Sequence, residues 1–177
     1  GAFKALARLK EEGVIKAWGL GVNRVEPCEL TLDLDEVRPD GFLLAGRYTL
    51  LDHEQPLQRL FAKAKAKGAE FITGGPYSSG VLVGGKHFEY QPATAAMLDK
   101  VKRIHEIARR FNVDIKAAAL QFPLANPAVT AVIPGASRPS RISEDTQAFK
   151  AVIPQAFWQA LRDAGFISPN APTPTAE

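Results

Sequence analysis

Hydrophobic residues in this chain fall into two alternating kinds of run. One kind recurs at the three- and four-residue spacing of a helix; the other is short, nearly continuous and ends in glycine or asparagine. Residues 2–12 belong to the first kind: Ala2, Leu6 and Leu9 share a face, and Gly13 stops the run. Residues 14–22 belong to the second, a continuous apolar stretch around Trp18 that predicts a buried strand. Gly19 and Gly21 leave the C-terminal part of that strand open to close approach. Asn23 ends it, and a short helix is predicted from about Glu26-Pro27. The alternation then repeats. Asp40-Gly41 turns into a buried strand over 42–45, a helix over about 55–67 stops at Gly68, and a third strand over 69–73 runs into Gly74-Gly75.

A long loop rich in glycine and serine follows, from Gly74 to about Pro92. Thr94 caps a predicted helix to about Phe111, with Leu98, Val101, Ile104, His105 and Ala108 on one face. An alanine-rich helix covers 115–124. Residues 131–133 read as a fourth strand, followed by a tight Pro134-Gly135 turn and a polar helix start. Gly135 and Ala136 leave room for a ligand to approach the backbone. Ser137 or Arg138 is expected near the N-cap, with Pro139 in the first turn and Arg138 and Arg141 one turn apart on the same side. Free N–H groups and two cations describe an anion site, with phosphate the natural occupant. The plainer alternative is a helix start whose arginines are merely solvated. A last helix spans about 154–164, and residues 168–177, rich in Pro and Ala, are expected to form a mobile tail behind one unit over 1–167.

Buried strands alternating with amphipathic helices call for a parallel sheet with helices packed outside it. Each predicted strand carries Gly or Asn at its C-terminal end, whereas the opposite ends look structural. That polarity belongs to the (β/α)8 barrel, where function gathers on the C-terminal face and phosphate sits at the last βα loops. Four strands cannot close eight. The expected fold is α/β, the C-terminal half of a TIM-type (β/α)8 barrel: four parallel strands with outer helices.

Composition narrows the class. At 46% hydrophobic and 23% charged residues among 177, the chain is long enough and apolar enough for a full core. Net charge is only +3, and its lysines and arginines are spread along helices, which argues against a nucleic-acid partner. The single Cys28 excludes an internal disulfide and a thiolate metal centre. With no apolar run of about 18 residues and no leader pattern, the expectation is a cytoplasmic location and no membrane partner. The chain opens at Gly1, already inside a helical pattern, so further sequence upstream is expected.

Four stretches, in order, resemble the C-terminal half of the aldo-keto reductase family over about residues 1–150. Residues 6–23 (LARLKEEGVIKAWGLGVN) resemble the helix and fifth strand, which usually end Gly-x-Ser-Asn. Gly46-Arg47-Tyr48-Thr49-Leu50-Leu51 resembles the sixth-strand signature Gln-x-x-Tyr-Asn-Leu-Leu, and residues 75–82 resemble the seventh-strand loop Ser-Pro-Leu-x-x-Gly-x-Leu. Residues 133–145 resemble the eighth-strand coenzyme loop, which ends Arg-x-x-Glu-Asn. The wording is most similar to the aldose and pyridoxal dehydrogenase branch.

The resemblance implies an oxidoreductase that uses NAD or NADP and passes a hydride between nicotinamide and a sugar or aldehyde carbon. It implies that Asn23 holds the nicotinamide carboxamide, and that Pro76, Tyr77, Ser78 and Gly80 line the pyrophosphate. It implies that Gly135, Ala136, Ser137 and Arg138 form the coenzyme loop, with Arg141 near the adenosine 2′ position, Glu144 near the adenosine and Asp145 at the adenine edge. Several positions depart from the family: Val22 for its serine, Ala45 for its glutamine, Gly74 for a stacking aromatic, Gly135 for a lysine and Asp145 for its asparagine. Losing the lysine removes one partner of a 2′-phosphate and favours NAD acceptance, while Arg138 or Arg141 remains to pair one. The family's catalytic Asp, Tyr, Lys and His are expected before Gly1. Tyr48, Tyr77 and Tyr90 lack such a set, and His53, His87 and His105 share no triad or metal spacing. No catalytic residue is therefore expected in this chain, which alone should be inactive. Its expected partner is a missing N-terminal half-barrel or a second copy. A non-catalytic nucleotide-binding or regulatory module is the alternative, and a phosphate-binding isomerase or aldolase barrel fits the four ordered motifs less well.

Overall fold

The computed structural model describes residues 1–175. Four strands form one parallel sheet: β1 (Gly19–Val22), β2 (Gly41–Ala45), β3 (Glu70–Gly74) and β6 (Val129–Ile133), in the order β1-β2-β3-β6. Between β3 and β6 lies a small antiparallel hairpin, β4 (His87–Phe88) with β5 (Gln91–Pro92). The helices are α1 (Ala2–Glu11), α2 (Glu26–Leu32), α3 (Phe61–Lys67), α4 (Ala95–Arg110), α5 (Ile115–Leu124), α6 (Pro139–Phe149) and α7 (Gln155–Asp163). A π-helical turn over Pro56–Leu60 leads into α3, and a 3-10 turn over Val81–Val83 follows β3. Four parallel neighbours in sequence order, each joined by a helical crossover, are half of an eight-stranded barrel wall.

Side chains alternate across the sheet, and its two faces fare differently. Phe42, Leu44, Phe71, Thr73 and Val129 point to the helical side and are buried. There Phe42 stacks on Phe71 at 5.4 Å, Phe61 meets Phe71 at 5.0 Å, and Tyr48 lies 4.8 Å from Phe61. Phe122, Phe157 and Trp158 carry this aromatic layer out to α7, all three fully buried. The other face carries Gly19, Gly21, Leu43 and Ile72 and opens into a concavity of about 500 Å³. A Cβ added at Gly21 would meet nothing within 4 Å. One face is a finished core and the other is bare.

That bareness corrects the reading of residues 14–22 as one buried strand. Only Gly19–Val22 is strand; it lies at the sheet edge with Gly19 and Gly21 exposed, and Val14 is 66% exposed. An edge strand has one neighbour, and with its inner face uncovered an apolar run does not become burial. Trp18 alone is buried, stacked on Phe3 at 5.6 Å, and α1 buries none of its residues.

Elsewhere local chemistry decided the elements as expected. Thr94 caps α4 by accepting the Met97 N–H at 3.2 Å, and Asp114 caps α5 by accepting the Lys116 N–H at 2.9 Å. Ile107 replaces Leu98 on the buried face of α4, and His105 sits half-buried with Nε2 2.9 Å from the Leu82 carbonyl. The loop over 74–92 is ordered by its 3-10 turn and by the hairpin, whose two-residue turn Glu89-Tyr90 takes positive φ at 51° and 64°. Residues 168–175, expected to be a mobile tail, run back against the helices. The Ser168 N–H donates to His53 Nε2 at 3.1 Å, Arg162 Nη2 donates to the Ala171 carbonyl at 3.1 Å, and Ala171 is buried. Residues 176–177 of that expectation lie outside the described residues. Among the described residues no helix is long and apolar enough to cross a membrane.

Candidate functional site

In register, the four parallel strands finish side by side: Val22 pairs with Leu44, Ala45 with Gly74, and Gly74 with Ile133. The Gly46 N–H donates to the Gly74 carbonyl at 2.9 Å and the Gly75 N–H to the Ile133 carbonyl at 3.2 Å, which carries the alignment one residue past the strands. Over these ends lies a cleft of about 440 Å³. Asn23, Gly46 and Arg47 form one end; Tyr77, Ser78, Ser79 and Gly80 form the floor; Gly135 and Arg141 form the far end. The hairpin residues Phe88, Glu89 and Tyr90 rim it.

Of the expected site residues, Asn23, Tyr77, Ser78, Gly80, Gly135 and Arg141 therefore line one cleft. Pro76 is buried beneath it, while Ala136, Ser137, Arg138 and Glu144 are exposed outside its lining. The two arginines expected on one side diverge. Arg138 is the N-cap of α6, with extended backbone (φ −151°, ψ 150°), so it is not in helical register with Arg141. Its guanidinium turns to Glu144 at 3.3 Å, and Arg141 alone faces the cleft. Arg138 makes no side-chain cap, which leaves the first N–H groups of α6 without one.

Asp145, which the resemblance puts at the adenine edge, does not line the cleft. Its carboxylate is buried, and Oδ1 accepts the Tyr77 hydroxyl at 2.7 Å and Lys116 Nζ at 2.7 Å. That oxygen is occupied within the protein. Glu144 beside it is held below its ordinary acid range by the hydrogen bond from Lys116 at 3.2 Å, with Arg138 adding to the effect. Burial alone would lower Lys116, but the bonds to Asp145 and Glu144 carry it above the ordinary lysine value.

Tyr77, Lys116 and Asp145 are thus a tyrosine, a lysine and a carboxylate in contact, a grouping that spacing along the chain does not reveal. They are not arranged as a proton donor. Burial, then the hydrogen bond into Asp145, raises the Tyr77 hydroxyl above its ordinary value, the opposite of what a general acid requires. Tyr48 is fully buried, accepts a hydrogen bond from Asn126 Nδ2 at 3.0 Å, and is pushed up to about 12 by burial. Tyr90 stands 80% exposed on the hairpin. Cys28 is fully buried, and burial pushes its thiol up to about 12. Among the described residues no group of three or more His, Cys, Asp or Glu is placed to hold a metal ion.

Sequence reasoning missed the side chains that hold the cleft together. Arg47 donates from Nε to the Asn23 carbonyl at 2.8 Å and from Nη1 to Asp52 Oδ2 at 2.7 Å, and pairs with Glu89 of the hairpin. Burial alone would lower it, but its bonds to Glu89 and Asp52 carry it above the ordinary arginine value. Thr49 supports the floor: Oγ1 lies 3.1 Å from Ser78 Oγ and accepts the Leu51 and Asp52 N–H groups at 3.2 Å each. Both residues stand inside the quoted Gly46–Leu51 motif, but of their partners only Leu51 does; Asn23, Asp52, Ser78 and Glu89 lie outside it.

Residues 1–165 match the model of the aldo/keto reductase family. The chain belongs to that family. It is similar to a pyridoxal 4-dehydrogenase of Microbacterium luteolum, at 37% identity over 173 residues, 95% of this chain and 49% of that protein. It is also similar to a D-threo-aldose 1-dehydrogenase of a Pseudomonas species, at 34% identity over 98% of this chain and 52% of that protein. The chain spans about half the length of these relatives. Among solved structures, an aldo-keto reductase of Bacillus halodurans in its holo form superposes with a TM-score of 0.68 at 22% identity, over 99% of this chain and 57% of that one. That likeness establishes the fold: four parallel strands and their helices are about half of a (β/α)8 barrel.

Proposed function

We propose that this chain is the coenzyme-binding half of an NAD- or NADP-dependent oxidoreductase that acts on an aldose or aldehyde carbon. The observation that carries the reading is the cleft itself, set at the C-terminal ends of four parallel strands, with Arg141 at one end and the ion-paired Arg47 at the other. Its residues suit an elongated anionic ligand. A Cβ added at Gly75, Gly80 or Gly135 would meet nothing within 4 Å, so a ligand has room against the backbone. Gly75, Ser78, Ser79 and Gly80 take positive φ, which curls the loop along the cleft. The Gly75, Ser78 and Gly80 N–H groups bond to the Ile133, Gly75 and Tyr77 carbonyls, so the Ser79 N–H and the serine hydroxyls are the groups offered to an anion. Arg141 supplies positive charge at the α6 end.

In this reading Ser78, Ser79, Gly80 and Gly135 hold the diphosphate, Arg141 the adenosine end and Asn23 the nicotinamide end. The nicotinamide, when bound, supplies the hydride donor or acceptor. This chain's own residues bind and orient: Arg47 fixes Asn23 through its carbonyl, and Thr49 fixes Ser78. The Tyr77 hydroxyl is committed to Asp145 and the Tyr48 hydroxyl is buried against Asn126, so the proton donor for a sugar or aldehyde oxygen is expected from outside the described residues. The uncovered sheet face, with β1 and β6 each without an outer neighbour among the described residues, supports a complementary half-barrel of four strands as its partner. The names of the two relatives favour a pyridoxal-type aldehyde or an aldose as substrate.

The test is a titration of the purified chain with NADH and NADPH, followed by intrinsic fluorescence, beside a turnover assay with aldoses and pyridoxal. Saturable binding without turnover is expected; absence of binding to either coenzyme, or turnover by the chain alone, overturns the reading. Light scattering on the same sample separates a monomer, which counts against an uncovered face needing a partner, from a self-paired dimer.

A further inference from the structure

The loop over 75–80 holds a conformation that its sequence does not favour. Ser78 and Ser79 stand side by side at φ of 50° and 57°, where an L side chain crowds its own backbone. Such a pair persists only where the surroundings over-determine it. Three side-chain hydrogen bonds do so. Thr49 Oγ1 meets Ser78 Oγ at 3.1 Å, Ser79 Oγ accepts the Tyr90 N–H at 3.2 Å, and the Tyr77 hydroxyl donates to Asp145 Oδ1 at 2.7 Å.

The third differs from the others in depth and charge. Tyr77 is 8% and Asp145 7% exposed, and Lys116 Nζ reaches the same Oδ1 at 2.7 Å. One carboxylate oxygen therefore joins the loop after β3, helix α5 and helix α6. Asp145 also lies one helical turn beyond Arg141, so whatever fixes it fixes the arginine across the cleft from the loop.

We propose that Tyr77, Asp145 and Lys116 form a positioning tie, which keeps Ser78 and Ser79 left-handed and sets the gap between that loop and Arg141 to fit a diphosphate. The tie acts through the loop and the helix. This assignment rests on the coenzyme reading above and adds a role that the family motifs do not give these side chains. It also explains why Asp145 is not free at the rim: its charge is spent on holding two walls of the cleft together.

The experiment compares wild type with Tyr77→Phe and Asp145→Asn, which keep side-chain shape, and with Lys116→Gln on the partly solvated side of α5. NADH, ADP-ribose and AMP are the probes, each titrated well below the melting temperature. Dissociation constants for NADH and ADP-ribose are expected to rise about five- to tenfold, the size of one lost charge-assisted hydrogen bond. AMP, which lacks the second phosphate, should change less than about twofold, a split that a general loss of stability would not produce. Hydrogen exchange on the ligand-free chain gives an independent readout. The amides of Gly80, Val81 and Leu82 bond back to Tyr77 and Ser78. They should exchange about tenfold faster in the variants, while α4 amides keep wild-type rates. Unchanged exchange overturns the tie, and so do equal losses for all three probes or unchanged NADH binding. A wild-type chain that binds none of the probes overturns the coenzyme reading itself and takes the tie's diphosphate role with it.

Discussion

Replacing Thr49 with valine tests how the cleft floor is built. The two side chains have nearly the same shape, so the substitution removes one hydroxyl and little else. That hydroxyl accepts the Leu51 and Asp52 N–H groups, at 3.2 Å each, which uses both of its lone pairs. Its own proton therefore goes to Ser78 Oγ at 3.1 Å. Thr49 is fully buried, Ser78 is 4% exposed and Leu51 5%, so water cannot easily replace these bonds. Each of the two donors left without a partner costs about 1 kcal/mol, at the low end because both bonds are long, and the lost Thr49–Ser78 bond costs about 1 more. Burial of the new methyl group returns about 0.8 kcal/mol. The net loss is about 2 kcal/mol, which at a typical slope lowers a urea midpoint by about 1 M. Thr49→Ser keeps all three bonds and loses only a buried methyl, so it should cost about 1 kcal/mol. Urea unfolding followed by circular dichroism measures both. Equal midpoints for Thr49→Val and wild type, or a serine variant as weak as the valine one, would refute the reasoning.

Other expectations follow from single groups. Burial lowers His53, which sits neutral between the Thr49 carbonyl at 2.9 Å and the Ser168 N–H. Below its ordinary value of 6.5 the unfolded chain takes up a proton that the folded chain refuses, so stability should fall as pH drops from 6.5 towards the lowered folded value. Urea midpoints between pH 7 and pH 5 check this, and the same slope in a His53→Gln variant would assign it to other groups. Arg141→Ala should weaken NADPH binding more than NADH binding, by about tenfold against about twofold, if the guanidinium pairs a 2′-phosphate; equal losses in parallel titrations would show that it does not. Cys28, buried and pushed up to about 12, should resist maleimide at pH 8 until the chain unfolds. Labelling at a rate faster than unfolding would contradict its burial.

The expected and observed structures agree most closely where one stretch of chain carries its own instructions. Helix α5 occupies Ile115–Leu124 as the alanine-rich run and the Asp114 cap require. Strands β2 and β3 lie within one residue of the apolar runs that predict them, because both have neighbours on each side and helices over one face. Where tertiary surroundings departed from the usual pattern, the reading failed. Residues 14–22 look like β2 in composition, but β1 is an edge strand and its inner face lacks a covering layer. The proline- and alanine-rich end resembles a free tail, yet His53 and Arg162 supply hydrogen bonds that hold it down.

Sequence alone therefore determined the class of the molecule. The order of four motifs gave the family, and the glycines at strand ends marked which end of the strands would carry the cleft. Periodicity and turn chemistry act over a few residues, so they are readable in order along the chain. Partner choice is not. Tyr77 and Asp145 are 68 residues apart, Arg47 and Asn23 are 24 apart, and Thr49 and Ser78 are 29 apart. Nothing local says that a hydroxyl will end on that carboxylate, or that Arg138 will turn away while Arg141 faces the cleft. Those outcomes depend on which side chains the parallel sheet brings within about 3 Å, where hydrogen bonds fall off steeply with distance and angle. Folding decided them by placing the ends of distant strands side by side.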